Sequence, residues 1–154
     1  KPCVSANADD TFILEQSKME NLKSVLEGTF SRKDFLVQPF IKSIKSEGEY
    51  SLIYFGNRLS HVLLKTPKNG DFRVQEEHGG ILKAINKPKS SLIDFGNKVM
   101  GTIPCQCLYS RVDVVRGSDN YLLMEVELIE PSLYFNMDPK SPQMFAEVFN
   151  KWHG

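Results

Sequence analysis

Arg111-Val112-Asp113-Val114-Val115, then Gly117-Ser118-Asp119-Asn120, then Tyr121-Leu122-Leu123-Met124-Glu125-Val126-Glu127 is the stretch on which this chain is read. Successive side chains of a strand point to opposite faces, so Arg111 and Asp113 share one face, and Glu125 and Glu127 share one face. If the two strands pair through the Gly117 turn, three carboxylates and one guanidinium converge on a single patch. Crowded like charges raise one another's pKa unless a cation neutralises them. Hard oxygen donors on a rigid sheet suit magnesium, which commonly takes one or two carboxylates together with substrate phosphates. An ordinary solvated face of an antiparallel sheet has the same alternation. Spacing alone leaves both readings open.

Outward from this hairpin the chain alternates short β-type runs with three longer helical periods. Thr11 to Leu14 reads as a strand, with Lys1 to Val4 as its hairpin partner across Ser5 to Asp10. Glu15 to Phe30 reads as a helix, because Met19, Leu22, Val25, Leu26 and Phe30 recur at three- and four-residue steps. Phe35-Leu36-Val37 runs into Gln38-Pro39-Phe40-Ile41, where proline marks a strand end or hinge. Tyr50 to Phe55 and Leu59 to Leu64 flank Gly56-Asn57-Arg58 as a hairpin. Thr66 to Lys89 is polar and glycine-bearing, and reads as one long loop. Ser90 or Ser91 is placed as the cap of a helix to about Ile103, and a last helix spans about Pro142 to Trp152. The hairpin-rich order predicts an α+β fold with a largely antiparallel sheet and flanking helices.

Nineteen Lys and Arg balance nineteen Asp and Glu. No net field draws the chain to nucleic acid or to an anionic membrane, and no apolar run is long enough to span a bilayer. Three cysteines, two of them at Cys105 and Cys107, suit neither a disulfide scaffold nor a zinc site, so reduced thiols and a cytoplasmic location are expected. Lys1-Pro2-Cys3-Val4 begins as though within a strand, which reads as part of a longer protein whose upstream domain is absent. His61 in its strand is a buried or structural candidate, and Phe35, Phe40 and Phe55 are expected in the core.

Two further clusters have phosphate chemistry. Lys65-Thr66-Pro67 through Arg73, Gln75, Gly79 and Gly80 places cations, an amide and paired glycines in one loop. Arginine binds phosphate oxygens bidentately, and glycine backbones approach them closely. A solvated connector fits the same residues. Lys1, beside the Ser5 to Asp10 loop, is the other candidate; a surface lysine beside a plain turn is equally available.

Taken in order, these segments resemble the ATP-grasp ligases, especially the prokaryotic glutathione synthetases and their uncharacterised relatives. Lys1 is similar to the strand lysine that contacts ATP phosphates, with a Ser/Ala/Asn-rich loop where the family has glycines. Gln38, Pro39, Phe40 and Ile41 resemble the hinge that meets adenine, and Glu49 the acidic residue at the ribose. Lys65, Arg73 and Gln75 resemble an Arg-x-Pro and Arg-x-Asn-x-x-x-Gly-Gly loop, with lysine for the first arginine and glutamine for asparagine. Asp113, Glu125 and Glu127 resemble the metal-binding strands, where Glu127 replaces the usual asparagine.

The resemblance implies a C-terminal ATP-grasp portion. Residues 1–41 would belong to the N-terminal subdomain and 42–154 would form the C-terminal subdomain. It implies ATP and magnesium, or manganese, as cofactors, and small carboxylate and amine substrates joined through an acyl phosphate. Lys1, Gln38, Pro39, Phe40, Ile41, Glu49, Lys65 and Gln75 would bind ATP. Arg73 and Arg111 would be catalytic, and Asp113, Glu125 and Glu127 would hold metal. A nucleotide-binding regulatory domain without turnover and a phosphotransferase on the same scaffold are the alternatives. Self-association is left open.

Overall fold

The computed structural model describes residues 1–5 and 8–153, which fall into two compact units, Lys1–Ile41 and Lys42–Gly154. The first unit contains a 3-10 turn, Gln16–Lys18, leading into helix α1, Met19–Phe30. The expected Thr11 to Leu14 strand is absent, and Pro2 pairs instead with Phe35 in an isolated antiparallel bridge. Cys3 N donates to Asp34 O and Leu36 N to Lys1 O, so the backbone groups of this run are answered from residues 34–36. Phe30 packs against Phe12 and Phe35, at centroid distances of 6.0 and 5.3 Å. Phe35 and Phe40 remain 55% and 40% exposed, which corrects their placement in the core.

The second unit is built on five antiparallel strands in the order β3-β2-β1-β4-β5. These are β1 Glu49–Phe55, β2 Arg58–Thr66, β3 Ile81–Ala84, β4 Tyr109–Arg116 and β5 Tyr121–Glu127. Helices α2 Ser43–Ser46, α3 Ser90–Met100 and α4 Ser141–His153 complete it. The loop expected over Thr66 to Lys89 holds β3, which pairs Ile81 to Ala84 with Leu63 to Thr66. Ser90 is the first residue of α3 rather than its cap; Lys89 occupies the cap without a side-chain hydrogen bond. No helix among the described residues is long and apolar enough to cross a membrane.

Period-two alternation gives the sheet two different faces. Leu52, Tyr54, Val62, Val112, Val114 and Tyr121 form one, covered by Leu92 of α3 with Phe95, Val99 and Met100. Helix α3 lies so close that a Cβ on Gly96 would stand 2.5 Å from Tyr54 Oη and 2.6 Å from Leu52 Cδ2. Tyr54 Oη donates to Asn97 Oδ1 at 3.2 Å. On the opposite face the apolar end is closed by Phe55, which stands 5.2 Å from Phe145 of α4 and 5.7 Å from Phe135. The charged end of that face carries the candidate site.

Two outcomes test this packing. Gly96→Ala is expected to cost about 1–3 kcal/mol through overpacking, read as a lower denaturation midpoint; an unchanged midpoint would contradict the close approach. Burial pushes the Tyr54 phenol up to about 12, from an ordinary 10.0. The folded state then keeps a proton that the unfolded state loses, so stability falls as pH rises from about 10 toward 12. Tyr54→Phe is expected to make that alkaline slope shallower, and an unaltered slope would remove Tyr54 as its source.

Candidate functional site

Directly paired residues of an antiparallel sheet share a face. Ser51 pairs with Asp113, Arg111 with Glu127, Asp113 with Glu125, and Glu49 with Lys65. The register thus gathers Glu49 and Ser51 of β1, Lys65 of β2, Arg111 and Asp113 of β4, and Glu125 and Glu127 of β5 on the face that α3 leaves uncovered. Two single-residue irregularities set this register. Ser60 is extra in β2 between Leu59 and His61, and Met124 is extra in β5 between Leu123 and Glu125. Each bulge shifts the parity of everything beyond it.

Asp113 is the hub, at 1% exposure. Ser51 Oγ donates to its Oδ1 at 2.5 Å, and Lys65 Nζ lies 3.2 Å from Oδ2. Arg111 reaches the same carboxylate through Nε and Nη2, both 3.0 Å from Oδ2, and its Nη2 lies 2.8 Å from Glu127 Oε1. Lys65 Nζ also lies 2.6 Å from Glu49 Oε1. Glu125 is exposed at the rim, while Glu127 is half-buried.

Four carboxylates therefore surround two cations on one patch. Burial disfavours the Lys65 ammonium, but Asp113 and Glu49 outweigh it and hold Lys65 above the ordinary lysine range. Burial likewise opposes the Arg111 guanidinium, and Asp113 and Glu127 outweigh it. Burial raises Glu49 despite Lys65, with the Asp113 charge adding to the rise. Burial also raises Glu127, against the pull of Arg111. Ser51 and Tyr134 were not singled out from sequence. A lone serine within the apolar run of β1 was a signal for the first. Tyr134 takes a left-handed backbone, φ 50°, and its phenol lies in the field of Lys65, Arg111 and Asp113, with burial raising its pKa.

The remaining expected residues are distributed over both units. Arg73 is held by its own loop: Asp71 Oδ2 accepts from Nη2 at 2.8 Å, and Asp71 Oδ1 accepts from the backbone N–H of Phe72 and Arg73. That clamp holds the Asp71 carboxyl well below the usual carboxylate range. Gln75 accepts from Gly80 N at its carbonyl, and its buried Oε1 has no hydrogen-bond partner among the described residues. A Cβ on Gly80 would stand 2.0 Å from Val74 O, so glycine is required for this loop to close. Lys1 and Gln38 to Phe40 are exposed in the first unit, with Ile41 half-buried at its end. Of the Ser5 to Asp10 loop, Ala6 and Asn7 lie outside the described residues.

Carboxylate oxygens are the donor type that a hard divalent cation takes, and Asp113, Glu125 and Glu127 share this face. Among the described residues, no three His, Cys, Asp or Glu side chains already stand grouped to hold a metal. Asp113 and Glu127 face Lys65 and Arg111 instead.

Comparison with known proteins places the chain: residues 3–137 match the RimK-like ATP-grasp domain, and the chain belongs to that family. It is similar in structure to D-cycloserine synthetase, with a TM-score of 0.78 at 21% identity over 98% of this chain and 54% of that one. It is also similar to D-alanine–D-alanine ligase from Bacillus anthracis complexed with ATP, with a TM-score of 0.51 at 17% identity over 90% of this chain and 45% of that one. At these identities the likeness is one of fold, and the chain spans about half the length of these structures. No curated protein matches it by sequence.

Lys65→Met leaves Glu49 without its ion-pair partner and Asp113 with one fewer. A loss of about 3–5 kcal/mol in unfolding free energy is expected, with part of it recovered in Lys65→Met/Glu49→Met. Chemical denaturation checks this; a loss under about 1 kcal/mol would mean that the network is solvated.

Proposed function

We propose that this chain is the nucleotide- and magnesium-binding part of an ATP-dependent carboxylate–amine ligase that works through an acyl phosphate. The observation that carries this reading is the convergence of Asp113, Glu125 and Glu127 with Lys65 and Arg111 on one sheet face, in a chain of the RimK-like ATP-grasp family. Residues 1–41 are assigned to the N-terminal ATP-grasp subdomain and 42–154 to the C-terminal one. The glutathione-synthetase likeness and a cytoplasmic location belong to the same proposal.

Asp113, Glu125 and Glu127 are the oxygens that would hold magnesium, or manganese in its place. Bound there with nucleotide, the ion would offset charge on the transferring phosphoryl group. Lys65 and Lys1 would neutralise phosphate oxygens. Arg111 and Arg73 would hold the acyl phosphate and the oxyanion formed when an amine attacks it. Gln38, Pro39, Phe40 and Ile41 would line the adenine, Glu49 the ribose, and Gln75 the phosphate loop. The ion pair of Glu49 with Lys65 also gives Glu49 a positioning task. Most of the catalysis would be positioning and electrostatics, so no nucleophilic serine or cysteine is required.

A second reading, a nucleotide-binding regulatory domain without turnover, is favoured by one feature. Asp113 is already answered by Ser51, Lys65 and Arg111, as a purely structural carboxylate would be. The whole protein with ATP, magnesium and pooled carboxylates and amines separates the two. ADP formation, with the acyl phosphate trapped by hydroxylamine as a hydroxamate and phosphate released, is expected; tight ATP binding without ADP would sink the ligase reading. A stable phosphorylated product in place of an amide would mark a phosphotransferase. Asp113→Asn and Glu125→Gln are each expected to lower magnesium-dependent ATP affinity at least tenfold, about 1.4 kcal/mol, by titration calorimetry. Unchanged affinity in both would refute the metal assignment.

A further inference from the structure

The end of the second unit's sheet where Phe55 pairs with Tyr109 holds chemistry that the proposed ligase does not use. Cys105 and Cys107 lie in the irregular segment between α3 and β4, with their Sγ atoms 3.9 Å apart and neither in a disulfide. Gly56 N donates to Leu108 O at 2.8 Å, tying that segment to the β1–β2 turn. A cavity of about 400 Å³ opens between this turn, the cysteine segment and the end of α4, lined by Arg58, Gln106, Cys107, Lys151 and Trp152 among others. Its charged lining is cationic. Cys105 is exposed, whereas Cys107 is half-buried beside the cavity.

We infer that Cys105 and Cys107 form a redox-modifiable thiol pair, and that the adjoining cationic cavity selects small anionic disulfides as its oxidant. Cys105 is exposed, and Cys107 lines a cavity whose charged side chains are Arg58 and Lys151. Burial and the neighbouring Cys105 thiol hold the Cys107 thiol above the ordinary cysteine range, which leaves Cys105 as the first to attack. The Sγ separation must close from 3.9 Å to about 2.05 Å, a movement of the size of a side-chain rotation in an irregular segment. The exchange balances without another reagent. The exposed Cys105 thiolate attacks one sulfur of the small disulfide, breaking its S–S bond and releasing one small thiolate, which takes up a proton. Cys107, as thiolate, then attacks Cys105 Sγ in the mixed disulfide and releases the second small thiol. Cys105–Cys107 is oxidised by two electrons, and the small disulfide is reduced to two thiols. Arg58 and Lys151 supply charge that favours a carboxylate-bearing disulfide over a neutral one.

The test uses the full chain as Cys3→Ser, so that only the pair can react, under an excess of glutathione disulfide or of neutral 2-hydroxyethyl disulfide. Intact mass should fall by two hydrogen atoms, and peptide mapping should join Cys105 to Cys107. Oxidation by glutathione disulfide should be about fivefold faster than by the neutral disulfide, the size expected of one or two exposed ion pairs. Arg58→Gln/Lys151→Gln should close that gap while leaving the neutral reaction unchanged. Thiols that stay alkylatable, or a lasting adduct on Cys105 without ring closure, would overturn the thiol pair. Equal rates with the two disulfides in the parent chain would overturn the selection by the cavity.

Discussion

The carboxylate of Asp113, at 1% exposure in the middle of the sheet, constrains everything packed around it. An ionised carboxylate taken out of water costs several kcal/mol unless partners replace its hydration. Here the partners come from three strands: Ser51 from β1, Lys65 from β2 and Arg111 from β4 itself. Such networks contribute little net stability compared with apolar packing, but they penalise every arrangement in which a partner is misplaced. The α3 face is filled by Leu52, Val62, Val112 and Val114, which are similar enough to tolerate displacement. The opposite face tolerates none, because sliding β1 or β2 past its neighbour separates Asp113 from Ser51 or Lys65.

The two bulges show how little stands between this network and its absence. From the turn upward, Arg116 pairs with Tyr121 and Val114 with Leu123; without Met124 as an extra residue, Glu125 would face Val112 rather than Asp113. Both glutamates would then lie on the α3 face, in an apolar core. Likewise Arg58 pairs with Phe55 and Leu59 with Tyr54; without Ser60 as an extra residue, Glu49 would face Leu64 instead of Lys65. Bulges bend and re-aim strands, and they recur next to functional sites. Both here redirect charged side chains onto the same patch.

Parts of this were legible in the sequence, and the reasons differ from place to place. Alternation in Arg111 to Val115 and in Glu125 to Glu127 named the four residues that share a face, because a strand fixes side-chain direction with period two. It could not supply the bulge at Met124 that brings the two strands' charged sets together, since nothing local distinguishes an extra residue from a paired one. The buried partnership of Glu49 and Lys65 was hidden for the same reason, behind Ser60. Strand β3 escaped notice because Ile81-Leu82-Lys83-Ala84 is short and its definition comes from its pairing with β2. In the first unit, Thr11 to Leu14 has strand composition but no strand, and Pro2 pairs with Phe35 instead. Local composition was right about the apolar character of these runs and silent about their partners.

The patch holds more carboxylates than cations, and that imbalance bears on how a nucleotide could enter under the proposed function. A free polyphosphate would meet surplus negative charge, with Lys65 and Arg111 already committed to Asp113, Glu49 and Glu127. A divalent cation alone would have to compete with those same two side chains for the carboxylates. Supplied together, the two ligands solve each other's difficulty. Carboxylates that give up Lys65 and Arg111 gain a cation in exchange, and the released ammonium and guanidinium gain phosphate oxygens. Each charge on the patch keeps a partner of opposite sign throughout, which avoids the several kcal/mol cost of an uncompensated buried ion. Under the proposed function, metal and nucleotide affinity would be coupled through Asp113, because both ligands would draw on its partners.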